Sequence, residues 1–164
     1  MAFVPSIDEV RTLPASFDET VAEDHVDENG HMNISVYFRL GSWAPWRRLR
    51  DLGMGDDYIP TRGLSFFTVG HHIDYTAELR LGEPFTVRAG FVERTGKALR
   101  SIAYVVDESR DRTACTMELT YVHVSMETRR AAPIPDDLAA ALDAEIAAYP
   151  WLADAGGGLS LRKR

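Results

Sequence analysis

The stretch Asp24-His25-Val26-Asp27-Glu28-Asn29-Gly30-His31-Met32-Asn33 joins two segments with different hydrophobic periods. Upstream, Phe17, Val21 and Val26 stand among polar residues, so Phe17 to Val26 is expected to be a strand. Downstream, Tyr37, Leu40, Ala44, Leu49 and Leu52 make an approximately helical stripe, so Ile34 to Leu52 is expected to be a helix ending at Gly53. Asn29 and Gly30 both tolerate positive φ, which places a turn between the two elements. The first amides of a helix point outward without intrahelical partners and favour negative charge nearby. Between Asp27 and Asn33 lie two carboxylates, two amides and a histidine, the densest polar cluster of the chain. Taken alone, the segment is either a polar loop, with Asn33 as helix N-cap and His31 on the surface, or a reactive site.

Composition narrows the classes of function. A chain of 164 residues suits one domain, here expected over residues 1–152 with a flexible tail at 153–164. The net charge of −7 argues against bulk nucleic-acid binding, which needs a basic footprint. A small polyanion remains compatible, provided a local basic patch exists. The lone cysteine, Cys115, allows no internal disulfide and fits a reducing compartment, where it reads as a small buried apolar residue. Asp8, Glu9 and Arg11 break any signal-peptide core, and no apolar run approaches membrane-spanning length, so the expected location is cytoplasmic.

Met1 to Pro14 has no clear period and is expected to be an arm or short cap. Pro45 conflicts with an unbroken helix, because it removes one backbone bond and crowds the preceding turn. A kink or break near Trp43 to Trp46 is expected. After a loop at Gly55 to Arg62, Leu64 to Leu81 is rich in β-formers and is expected to be one long strand, with a bend at Gly70. Phe85 to Val92 and Ala98 to Val106 form a hairpin around Thr95-Gly96, and Thr113 to Met126 is the last strand. Along it Cys115, Met117, Leu119 and Tyr121 alternate with Thr116, Glu118 and Thr120. Leu138, Leu142, Ile146 and Tyr149 predict a C-terminal helix ended by Pro150. One strand, a long helix and several strands in succession make an α+β domain with an antiparallel sheet wrapping one helix.

The series Val26-Asp27-x-Asn29-Gly30-His31-Met32-Asn33, with Tyr37 beyond it, resembles the first active-site motif of hotdog-fold acyl-CoA thioesterases. The form is that of the 4-hydroxybenzoyl-CoA thioesterases and, more distantly, the plant acyl-ACP thioesterases. The resemblance continues through His72-x-Asp74-Tyr75-x-x-Glu78-x-x-x-Gly82-Glu83-Pro84, Thr116-x-Glu118 and His123-Val124, covering roughly Phe17 to Leu142. It implies a five- to six-stranded antiparallel sheet around a long central helix, and a homodimer or dimer of dimers with the active site between protomers. It also implies hydrolysis of a small acyl-CoA thioester, with no cofactor beyond the coenzyme A of the substrate. The second half of the chain looks most like thioesterases of carnitine breakdown, which act on betainyl-CoA.

On this resemblance Asp27 is the catalytic carboxylate, either attacking the carbonyl or activating a water. Amides at Asn33 and Ile34 would receive the oxyanion. His31 and Asn33 would orient water or the carboxylate. Asn29 is a turn residue or, as in the acyl-ACP branch, a catalytic one. Glu118 faces the site across the dimer or faces solvent, and Glu78 belongs to a surface ion pair. Tyr37, His72 and Tyr75 are candidate pocket residues. Trp43, Trp46, Phe66 and Phe67 are further aromatics that serve as core or as a cage for a quaternary ammonium. Arg94, Lys97 and Arg100 flank a hairpin turn, and either hold coenzyme A phosphates or are solvated charges. His71 and His72 point to opposite faces of a strand, so no metal site is expected there. Two other functions share the fold: acyl-CoA binding without turnover, and acyl-CoA hydration or dehydration.

Overall fold

The computed structural model describes residues 4–161. In chain order it contains α1 (Ile7–Thr12), β1 (Ala15–Thr20), a 3-10 turn (Glu23–His25), α2 (Ile34–Asp51), α3 (Tyr58–Arg62), β2 (Leu64–Tyr75), β3 (Pro84–Arg94), β4 (Ala98–Asp107), β5 (Arg112–Ser125), α4 (Asp136–Ala148) and a second 3-10 turn (Pro150–Asp154). The strands form one antiparallel five-stranded sheet in the order β1-β3-β4-β5-β2. The expected antiparallel sheet around a single long helix is therefore present, with five strands.

The apolar stripe of α2 fills the concave face. Tyr37, Leu40 and Ala44 pack on Phe85, Val87, Ala89, Ala103 and Val105. Lower down, Leu49 meets Phe91, Leu99 and Leu119, and Leu138 and Leu142 of α4 close that end. Each fully buried Val, Leu or Phe among them contributes about 1.5–3 kcal/mol through removal from water. Gly41 lets the helix come close: a Cβ there would lie 2.8 Å from Cε of Met117. The opposite face of the sheet is covered as well. Ile102, Tyr104 and Val106 pack against Val10 and Leu13 on one side and Leu152 and Ala155 on the other. This double coverage explains why β4 is buried from Leu99 to Asp107 and shows no in–out alternation.

The structure departs from the sequence expectations at several places. α2 runs unbroken from Ile34 to Asp51 with Pro45 buried inside it. Its packed face outweighs the local cost of proline, about 3 kcal/mol. The first strand spans Ala15–Thr20 only, because the chain turns through Glu23–His25 before the polar cluster. The N-terminal arm contains a helix fixed by a capping box between Ser6 and Glu9.

The segment expected to be a loose tail is docked as far as it is described. Ala155 is buried, and the amides of Gly157, Gly158 and Leu159 donate to the Glu118 carboxylate at 2.9, 2.8 and 3.2 Å. Gly156 is required there, since a Cβ would meet the same carboxylate at 2.6 Å. The expected basic end, Arg162-Lys163-Arg164, lies outside the described residues.

Candidate active site

The turn between β1 and α2 is a closed loop on a short bridge. Val26 pairs with Met32, and the Asp27 amide donates to the His31 carbonyl at 3.2 Å. Gly30 takes φ +79° at the tip, where a glycine is needed. The Met32 amide donates to the Leu79 carbonyl at 2.7 Å, and the Leu79 amide donates to the Tyr37 hydroxyl at 3.1 Å. These two bonds pin the turn and the first part of α2 to the connection between β2 and β3.

Asp27 is partly exposed and held at both oxygens. Oδ1 accepts the Asn29 amide at 2.9 Å, and Oδ2 accepts the Asn33 side-chain amide at 2.8 Å. The Asn29 amide and then the Asn33 side chain hold the carboxyl below its usual range, with a smaller contribution from His31. Asn33 does double duty. Its Oδ1 caps α2 by accepting the Ser35 amide at 2.9 Å, while its Nδ2 holds Asp27. One side chain thus ties the carboxylate to the helix N-terminus.

The expected oxyanion pair separates. The Asn33 amide is already spent on the His25 carbonyl at 2.8 Å, so it is not free to receive an oxyanion. The Ile34 amide, next in line at the start of α2, makes no hydrogen bond among the described residues. Asn29 contributes its backbone amide to Asp27 and stays exposed, as a turn residue does. The His31 ring lies 3.3 Å from the Met32 carbonyl at Nδ1.

The other candidates fall into separate groups. Tyr37 is buried in the core, its ring set edge-on to Tyr75 at 5.6 Å, and burial pushes its hydroxyl up to about 12. His72, Tyr75 and Glu118 line a cavity of about 840 Å³ that Asp27 does not line. His72 pairs with Asp74 at 3.1 Å. Glu118 neither faces solvent nor offers a free oxygen: Arg100 holds it at 3.0 Å together with the three tail amides. Arg100 also holds Glu93 at 2.9 Å, so its guanidinium is part of a buried network and not a hairpin-tip charge. Removing one member of such a pair strands a buried charge, at a cost of about 3–5 kcal/mol. Arg94 is tied to Asp143 of α4 at 2.5 Å. Only Lys97 of the three basic candidates is exposed at the hairpin turn. Glu78 pairs with Arg80 at the surface. Burial raises the Cys115 thiol to about 12, which removes it as a nucleophile. No cluster with metal-holding geometry occurs among the described residues.

Sequence reasoning missed a groove of about 390 Å³ along the exposed side of α2, lined by Phe17, Arg39, Trp43, Trp46, Arg47 and Arg50. The spacing 39, 43, 47, 50 was its signal, overshadowed by the apolar stripe on the same helix.

Comparison with known proteins bears on this arrangement. Residues 21–142 match the family model of the thioesterase-like superfamily. An L-carnitine dehydrogenase/betainyl-CoA thioesterase of Ruegeria pomeroyi is 32% identical over 153 residues, covering 90% of this chain. The chain spans only 30% of that relative's length. A betainyl-CoA thioesterase of Pseudomonas aeruginosa is 23% identical over 129 residues, covering 79% of this chain and 81% of its own. A Staphylococcus aureus protein solved in complex with CoA has the same fold, with a TM-score of 0.71 at 23% identity over 90% of this chain and 88% of its own.

The Asn33 bond makes a prediction about Asp27 itself. A depressed carboxyl stays charged as pH falls through the ordinary aspartate range near about 3.9. Asn33→Ala should move the Asp27 titration midpoint upward, read by NMR of the side-chain carboxyl carbon, while the fold persists with the loss of one helix cap, about 1 kcal/mol. An unmoved midpoint would show that Asn33 does not hold this carboxylate.

Proposed function

Given that the chain belongs to the thioesterase-like superfamily, we propose that it hydrolyses a small acyl-CoA thioester to the free acid and coenzyme A. The observation that carries this reading is the Asp27 carboxylate, bonded by the residue that caps α2, beside a helix whose first amide has no partner among the described residues. Asp27 either attacks the acyl carbon or takes a proton from an attacking water. Charge builds on the carbonyl oxygen, and the Ile34 amide with the positive end of α2 stabilises it. As the C–S bond breaks, the thiolate departs. Its protonated form has a reference pKa near about 8.5, so no side chain need supply a proton. In the water route the proton ends on the product thiol, and the acid leaves ionised. Asp27, held below its normal range, is ionised at neutral pH and available for either route. Direct attack leaves an acyl–Asp27 anhydride, which water then cleaves to the free acid and the restored carboxylate. No cofactor enters this scheme.

The site is completed by a second copy of the chain. β2 is an edge of the sheet, so one side of its backbone is unpaired. Beside it, Val69 and Ile34 are each 62% exposed, and the exposed Phe38 ring lies 5.0 Å from that of His71. Edge-to-edge pairing through β2 would cover these groups and wall the space in front of Asp27. The acyl group is proposed to be small, with betainyl the leading candidate, since exposed rings there suit a quaternary ammonium. No described helix is long and apolar enough to cross a membrane, and the buried unpaired thiol suits a cytoplasmic setting.

Free-thiol release measured over betainyl, aromatic and straight-chain CoA thioesters should show turnover, with betainyl preferred. Equal rates on all three would refute the betainyl preference. Tight binding without thiol release would leave a binding protein, and loss of a 2-enoyl double bond without thiol release would leave a hydratase. Val69→Glu should turn the dimer into monomer by sedimentation and lower kcat/KM at least tenfold. A monomer with full activity would place the whole site within one chain.

A further inference from the structure

We infer that the groove on the exposed side of α2 is the seat of the 3′-phosphoadenosine diphosphate end of coenzyme A; this deepens the thioesterase reading and rests on it. Arg39, Trp43, Arg47 and Arg50 recur at i, i+4, i+8 and i+11, which sets them on one helix face. The groove they line lies between that face and Phe17 of β1. A second hollow of about 270 Å³, lined by Pro14, Ala15, Ser16, Arg48 and its partner Asp51, shares Arg47 and Arg50 with the groove.

Charge and shape both select a phosphorylated aromatic ligand. Guanidinium groups concentrated on one face of a chain of net charge −7 make a local positive site against an acidic whole. Guanidinium forks suit phosphate oxygens. Arg39 is exposed and enters no ion pair among the described residues. Arg47 is set in place from two sides: its guanidinium stands 3.9 Å above the Phe17 ring and donates to the Ser16 carbonyl at 2.5 Å. Arg50 meets Asp56 at 2.7 Å, but that partner is 84% exposed. A surface pair of this kind is worth about 0–1 kcal/mol and yields readily to a phosphate. Trp43 is 53% exposed among these cations, without a partner of its own in the core, and offers a flat face to a purine.

Position agrees. At about 1.5 Å of rise per residue, Arg39 is about 9 Å along the helix from Asn33 and Arg50 about 25 Å. From a thioester carbonyl at the start of α2, the pantetheine arm would run along the β1 side of the helix, away from the β2 edge, to reach this trough. Among the described residues the hairpin at Thr95-Gly96 offers only Lys97 as an unpaired cation, because Arg94 and Arg100 are paired with Asp143, Glu93 and Glu118. The phosphate contacts expected there are therefore reassigned to α2.

Adenosine 3′,5′-bisphosphate, which has no thioester, tests the groove without turnover. Its binding to the full chain is followed by the fluorescence of Trp43 and Trp46. Wild type should bind it, Arg39→Glu/Arg50→Glu should weaken binding at least tenfold, and Arg39→Lys/Arg50→Lys should recover part of that loss. Lys97→Glu should bind as wild type does. In turnover, the ratio of kcat/KM for an acyl-CoA to that for the same acyl group on N-acetylcysteamine should fall at least tenfold in the double Glu variant. Wild type that does not bind the bisphosphate, an unchanged affinity in the double Glu variant, or a loss confined to Lys97→Glu would overturn the assignment. Binding that obeys these expectations in a protein that releases no thiol would uphold the groove and remove the hydrolase.

Discussion

The whole arrangement depends on one hydrogen bond, from the Asn33 side-chain amide to the Asp27 carboxylate. Asn33 sits at the N-cap of α2, where its other side-chain atom is already committed to the helix. Asp27 therefore cannot move independently of α2, and α2 cannot shift without the sheet that wraps it. The same bond serves electrostatics: it joins the Asn29 amide in favouring the ionised carboxyl. The Asn33 contact fixes the position and, with the Asn29 amide, the charge state, and that is how a short polar turn becomes a preorganised site.

The anchoring of α2 explains why this contact can be rigid. Tyr37 reaches from the helix to the Leu79 amide, and Met32 reaches from the turn to the Leu79 carbonyl. Both ends of one residue are used, so turn, helix and sheet share a fixed point. A second network stabilises the far side of the sheet. Half-exposed Glu93, buried Arg100 and buried Glu118 form a chain of charge, and the glycine-rich segment after Ala155 supplies amides to Glu118. The carboxylate at 118 thus holds the segment Gly157 to Leu159 against the sheet.

Much of this was legible in the sequence, for identifiable reasons. Helix and strand periods, the Asn29-Gly30 turn and the alternation through Cys115 to Tyr121 mark elements whose local pattern and tertiary role agree. The pattern also marked Asp27 and Asn33, because a carboxylate before a cap residue has a local signature. What failed was non-local. Pro45 breaks an isolated helix, but burial of its face against the sheet is invisible in a local rule. The Asn33 amide was spent on His25, a partner set by the 3-10 turn and not by spacing. Arg94 and Arg100 looked like hairpin charges until α4 and Glu118 came alongside. The arginine–tryptophan face of α2 is written at helical spacing, on the same helix as the stronger apolar stripe.

The central claim is that the Asp27 carboxylate does the chemistry at the start of α2. Asp27→Asn keeps the side chain's size and removes its charge, and circular dichroism can verify that the fold survives. Single-turnover thiol release on the best acyl-CoA of the panel should then fall by at least a factor of about 100, within the range in which a lost acid–base group acts. A rate close to that of the unmodified protein would contradict the account, and would move the reacting carboxylate elsewhere in the chain.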